Sequence, residues 1–91
     1  MTKTRQRILE WADYVAPDST LLLMDGHDSA FLGTVERHMV EPVACYDFEK
    51  ILRGLMRQGM SPQEAVEFYD FNIGAAWVGP ETPFVLNRWK R

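Results

Sequence analysis

The spacing of apolar residues changes along this chain, and each change predicts a different element. Between about Thr4 and Val15, Ile8, Ala12 and Val15 recur four and three apart, with Leu9 and Trp11 widening the stripe. That is the period of an amphipathic helix. Pro17 ends it, because proline disfavours helical geometry in the residue before it, and Asp18-Ser19 turns the chain. TLLLM, residues 20–24, is an unbroken apolar run that suits a strand covered on both faces. Asp25-Gly26 follows at once, a strong cue for a hairpin turn. From Ala30 to Met39 the pattern alternates. Phe31, Gly33, Val35, Arg37 and Met39 point one way, and Ala30, Leu32, Thr34, Glu36 and His38 the other. A second strand is expected there, with Gly33 marking a bulge or a close approach. VACY, residues 43–46, bounded by Pro42, predicts a third strand.

Helical periodicity then returns. Asp47 is placed to cap a helix by accepting from a free amide of its first turn. Phe48, Ile51, Leu52, Leu55 and Met56 form one continuous stripe, and Gly59 follows as a C-cap. Ser61-Pro62-Gln63-Glu64 combines a capping box with proline at the first helical position. That helix is expected to reach about Ala76. GPETP, residues 79–83, must be a loop, and FVLNRW, residues 84–89, a short closing strand. Strands in a run followed by helices predict the α+β class. The expected architecture is a small, mostly antiparallel sheet of three to four strands with two or three helices on one face. It forms one domain over residues 1–91, with the N-terminal helix at about 4–15 and the sheet and helical pair at about 20–87.

Composition narrows the functional classes. Hydrophobic residues make up 46% of the chain, which is an ordinary globular content. A net charge of −3 argues against direct, charge-driven nucleic-acid binding. The single cysteine, Cys45, rules out an internal disulfide and a cysteine-rich zinc site, and its apolar setting predicts a buried, inert thiol. No apolar run approaches the roughly 18 residues of a membrane span, and the N-terminus lacks a secretory signal. A cytoplasmic protein that makes no use of a membrane is expected. The charges are blocky: residues 17–49 hold seven acids against Arg37 alone, while Arg88, Lys90 and Arg91 follow the last acid, Glu81.

Asp25, His27 and Asp28 flank Gly26 and raise the question of a metal or catalytic site. Zinc takes about three or four ligands, mostly His or Cys, and only His38 remains as a second imidazole. Calcium wants carboxylates at alternate positions and a distal Glu, which are missing. A turn explains Gly26 by its tolerance of positive φ, and the two aspartates by local bonds to backbone. Ser19, Ser29 and Ser61 sit in no nucleophile motif, and Cys45 with His27 or His38 is a weak alternative. Asn72 falls inside the apolar face of the last helix, where a bond to a loop backbone is expected. Gly74 in the same helix points to something packed close against it. Asp25, Asp47, Ser61 and Asn72 are therefore read as structural polar residues, and neither metal nor cofactor is expected.

LLLMDGHDSAFLG, VACYDFEK, GMSPQEA, FNIGA and GPETP together resemble a group of small proteins carried by phages, prophages and plasmids. The resemblance covers about Leu21 to Leu86 and rests on residues that include Gly26, Gly33, Tyr46, Asp47, Gly59, Ser61, Glu64, Asn72, Gly74, Gly79, Thr82 and Pro83. It implies a mobile-element protein that binds host machinery, such as a CRISPR effector or another immune protein, and inhibits or modulates it without catalysis. The residues expected to touch such a partner are His27, Asp28, Glu36, Arg37, Trp77, Glu81 and Trp89, with the acids standing in for phosphate. A homodimer is compatible with the sequence. The rival readings are a small metal-dependent hydrolase built on the DGHD loop and a DNA-binding regulator that uses the basic NRWKR tail.

Overall fold

The computed structural model describes residues 3–18 and 21–90, so Ser19, Thr20 and Arg91 of the expected turn, strand and tail lie outside the described residues. In chain order the elements are α1 (Lys3–Val15), a 3₁₀ turn (Asp28–Ala30), β1 (Phe31–Val35), β2 (Val43–Asp47), α2 (Phe48–Arg57), α3 (Pro62–Tyr69), a π-helical turn (Asp70–Gly74) and β3 (Phe84–Leu86). The strands form one sheet in the order β1-β2-β3. The α+β class is as expected. The sheet itself is mixed: β1 pairs antiparallel with β2, and β2 parallel with β3. The parallel pair follows from connectivity, because α2 and α3 lie between its strands and a long crossover permits what a tight turn forbids.

Every residue of β2 is buried, as befits a central strand with both faces covered. Ala44 and Tyr46 face the core, where Ile51 and Leu55 of α2, Ala65 of α3 and Ala30 meet them. Each buried Ile or Leu contributes about 1.5–3 kcal/mol by leaving water. The α2 stripe is as the spacing predicts: Ile51 and Leu55 are buried, with Leu52 and Met56 packed beside them. Its caps form too. Asp47 Oδ1 accepts from the Glu49 N–H at 3.1 Å, and Gly59 (φ 108°) closes the far end by donating to the Met56 carbonyl. Ser61 and Glu64 make the reciprocal capping box.

Four expectations are corrected. Leu21–Met24 form no strand. The Met24 N–H donates to the Tyr46 hydroxyl at 2.9 Å, and the Met24 carbonyl accepts from Arg5 at 2.7 Å. Side chains thus satisfy the backbone groups a ladder would have used. Asp25-Gly26 is a turn, with Gly26 at φ 81°, but it leads into the 3₁₀ turn rather than joining two strands. The alternating run expected to Met39 stops at Val35. Residues 36–42 loop out through a turn in which Val40 N–H donates to the Arg37 carbonyl, and Met39 stands at its tip 90% exposed with φ 68°. Finally, α3 ends at Tyr69 and passes into the π-helical turn instead of continuing to Ala76.

That turn explains Gly74. A Cβ there would lie 2.9 Å from the Tyr69 ring, so the close neighbour is a side chain of the same helical segment, five residues back. The Tyr69 ring in turn meets Phe48 edge-on, with centroids 4.9 Å apart. Gly33 has both roles its sequence position predicts. The β1–β2 register slips between Phe31 and Gly33, and Trp11 of α1 lies 3.7 Å from where its Cβ would be. Helix α1 packs on the domain through Ile8, Ala12 and Ala16, with Trp11 edge-on to Phe31.

Tyr46→Phe is expected to lower unfolding stability by about 1–3 kcal/mol, the cost of stranding a donor that is shielded from water; urea denaturation measures it. Gly74→Ala is expected to destabilise the native sequence by about 1 kcal/mol, since overpacking outweighs the gain in helix propensity. In a Tyr69→Ala background the same change should stabilise, and a double-mutant cycle reads the reversal.

Candidate functional site

A groove of about 630 Å³ opens between three segments of the chain. One wall is the segment from Leu22 to His27. The second is the end of α3 with the π-helical turn, presenting Phe68, Tyr69, Asn72 and Ile73. The third is the stretch from Ala76 to Val85, presenting Val78, Thr82 and Pro83. None of these walls is a sheet or a regular helix over its whole length, so each needs its own support.

Arg5 of α1 holds the first wall. Its guanidinium meets Asp28 through two of its nitrogens, Nε donating to Oδ2 at 3.2 Å and Nη2 lying 2.9 Å from Oδ1, while Nη2 donates to the Met24 carbonyl and lies 3.6 Å from Asp25. A two-pronged pair of this kind fixes orientation as well as distance. Tyr46 secures the same segment from below through Met24. On the second wall the Asn72 amide donates to the Phe68 carbonyl at 3.0 Å, four residues back. Asn72 is thus exposed and bonds its own helix, not a neighbouring loop. The third wall is closed by Thr82, whose hydroxyl accepts from the Val78 N–H at 2.9 Å and donates to the Gly79 carbonyl at 2.6 Å. Gly79, at φ 111°, supplies the bend.

The lining of the groove includes Asp25 and His27 and no Lys or Arg. From Gln58 to Asn87 the chain has no Lys or Arg and carries Glu64, Glu67, Asp70 and Glu81; from Ile8 to Glu36 it has none either. Arg5 reaches the first wall and is engaged there with Asp28 and, at 3.6 Å, Asp25. His27 stands in the wall half-buried. Burial lowers its pKa from the usual 6.5, and the Asp28 carboxylate opposes that only in part.

The residues expected to meet a partner fall in three places. His27 and Asp28 belong to the first wall, but Asp28 is turned inward onto Arg5 with its side chain only 16% exposed. Trp77 and Glu81 are exposed on the third wall, and Trp77 adjoins Ala76 and Val78 in the groove lining. Glu36 and Arg37 are exposed on the β1–β2 loop, where with Val40, Val43, Pro80 and Phe84 they border a smaller hollow of about 250 Å³. The stretch around Pro80–Pro83 therefore separates the two concavities. Trp89 is 85% exposed on the tail. The neighbouring cations fold back: Lys90 reaches Glu49 at 2.6 Å, and Arg88 lies 3.5 Å from the buried Asp47. Cys45 is buried, and burial raises its pKa.

Among the described residues, no three His, Cys, Asp or Glu side chains converge as a metal site, and no helix is long and apolar enough to cross a membrane. Arg5, Tyr69 and Thr82 shape the site, though none of them is expected there from sequence. The TP pair after GPE is the one local signal that bears on them, since a Ser or Thr hydroxyl readily closes its own turn. Comparison with protein-family models, curated proteins and solved structures finds no match.

The pKa of His27 has a consequence for pH dependence. With its folded value depressed, the unfolded chain binds the proton more readily. Its contribution is complete above the unfolded value of 6.5 and is lost as pH falls toward the folded value. Stability should therefore fall between about pH 7 and 5, and His27→Gln should flatten that part of the profile. Denaturation midpoints across the range check it.

Proposed function

We propose that this chain is a non-enzymatic binding protein that docks on a partner protein through the groove and its rim, and thereby inhibits or modulates the partner. The carrying observation is large apolar side chains left in water on the segments that line an apolar groove: Val78, 63% exposed, lines it, and Phe71, 83% exposed, and Trp77, 73% exposed, are next in the chain to lining residues. Aromatic anchors beside a concave surface are the usual source of binding energy in protein interfaces, and clustered exposed apolar surface marks such sites. The resemblance to small proteins of phages, prophages and plasmids supplies the context, an anti-defence role against a CRISPR effector or other immune protein in the host cytoplasm.

The bonding of the polar clusters supports the same reading. Asp25 and Asp28, the acids a DGHD metal site would require, are both drawn to Arg5. The tail cations that a DNA-binding regulator would require are committed in part to Asp47 and Glu49.

The test is a paired capture from bacterial lysate with the native chain and the Phe71→Ala/Trp77→Ala variant. A protein retained by the native chain should be lost by at least about tenfold, while the variant's unfolding free energy stays within about 0.5 kcal/mol, as is usual for surface changes. Full retention by the variant removes the docking face. Phage plating on cells with active CRISPR immunity checks the context: expression of the chain should raise plaque counts, and no rise removes the anti-CRISPR role.

A further inference from the structure

Asp47 brings a carboxylate into the core, where it is 1% exposed. Its Oδ1 takes the Glu49 N–H, but Oδ2, shielded from water, accepts no hydrogen bond among the described residues. A carboxylate withdrawn from water needs a charge or donors to balance it. The charge facing Oδ2 comes from Arg88, whose Nε lies 3.5 Å away. Arg88 belongs to no helix or strand and stands two residues past Leu86, the last residue of β3. The register brings Leu86 beside Asp47, so the chain leaves the sheet next to the acid that Arg88 then reaches. Lys90 makes a second tie, Nζ to Glu49 Oε1 at 2.6 Å, and Arg53 of α2 lies 3.5 Å from the other oxygen of Glu49. Residues 88 and 90 are thus bound to residues 47 and 49, the N-cap of α2 and its first turn. Trp89 between them is 85% exposed.

We propose that Arg88, Trp89 and Lys90 form an electrostatic strap over the start of α2, locked chiefly by Arg88 as the counter-charge of Asp47, and that this strap holds the backbone of Trp89 in one place with its indole in water. The strap goes beyond the docking reading and does not depend on it. Its two ties differ in kind. Arg88 and Lys90 are both more than half exposed, and ion pairs made from such positions usually add little. Glu49, freed of Lys90, still has water and Arg53 to turn to. Asp47, freed of Arg88, is left as an unbalanced charge in the core, and breaking a buried pair is costly because of what stays behind. Opening the strap at Arg88 therefore works against folding, and opening it at Lys90 does not. A tryptophan whose two neighbours are tied meets a partner with little further ordering to undergo. The strap also withholds both cations from anions, since a phosphate gains Arg88 only by leaving Asp47 unbalanced.

Backbone amide NMR relaxation of the full chain reads the strap directly. Order parameters at residues 88–90 should lie near about 0.85 in the native chain and fall below about 0.6 in both Arg88→Gln and Asp47→Asn. Glu49→Gln should loosen Lys90 while Arg88 stays ordered. Melting temperatures separate a counter-charge from simple packing of the Arg88 stem. Arg88→Gln should melt at least about 4 °C lower, a readily measured shift for a domain of this size. Adding Asp47→Asn removes the stranded charge and keeps a good cap, so the double variant should recover most of that loss. Order parameters below about 0.6 at residue 88 of the native chain overturn the strap, as does order that is unchanged in both Arg88→Gln and Asp47→Asn. A double variant that melts no higher than Arg88→Gln overturns Arg88 as the counter-charge of Asp47.

Discussion

Tyr46 is fully buried at the centre of the sheet, and its hydroxyl has to be satisfied there. A polar group sealed from water without a partner costs more than most single contacts return. The Met24 N–H supplies the partner. That one bond fixes the segment before Asp25 to the core, and Arg5 then fixes it to α1. The burial of α1, the course of the Asp25-Gly26 turn and the position of the first groove wall all follow. Phe31 rests edge-on against the same tyrosine ring, with Trp11 beyond it, so aromatic contacts reach from α1 to the central strand along the same path.

The regular and irregular parts of the molecule divide the work. β2, α2 and the start of α3 carry the core and its caps. The groove is assembled from what regular structure leaves over: an extended segment, a π-helical turn and a loop closed by threonine. Such places have backbone groups that are not consumed by ladders, so side chains set their shape. The π-helical turn shows this well. Tyr69 lies against Gly74 and meets Phe48 edge-on, and both Asn72 and Ile73 of the turn line the groove.

Electrostatics follows the same division. Acids with a structural task have partners: Asp28 has Arg5, Asp47 has the Glu49 amide and Arg88, and Glu64 has the Ser61 backbone. Hydrogen bonds from Ser61 hold the Glu64 carboxyl below its usual pKa, and Lys90 does the same for Glu49. Asp25 lies 3.6 Å from Arg5, while Asp70 and Glu81 are exposed on the surface. The blocky charge of the chain is thus in part a set of internal ties, which act on folding.

The sequence by itself determined whatever depends on near neighbours. The α2 stripe, the Asp47 cap, the Ser61–Glu64 box, Gly59 as a helix end, Gly33 as a bulge and the buried Cys45 all rest on spacings of a few residues, where geometry leaves little choice. Glu81 falls in the GPETP loop read from the sequence, and it is exposed. Tertiary structure alone decided the rest. Leu21–Met24 reads as a strand because the apolar run says nothing of Tyr46 or Arg5, which lie about twenty residues away on either side. Asp28 reads as a surface acid until Arg5 turns it inward. Parallel pairing of β3 and the groove itself arise only when the crossover brings residues 84–86 beside 45–47. Long-range contacts of this kind are chosen by the packing of the whole chain, and no local period encodes them.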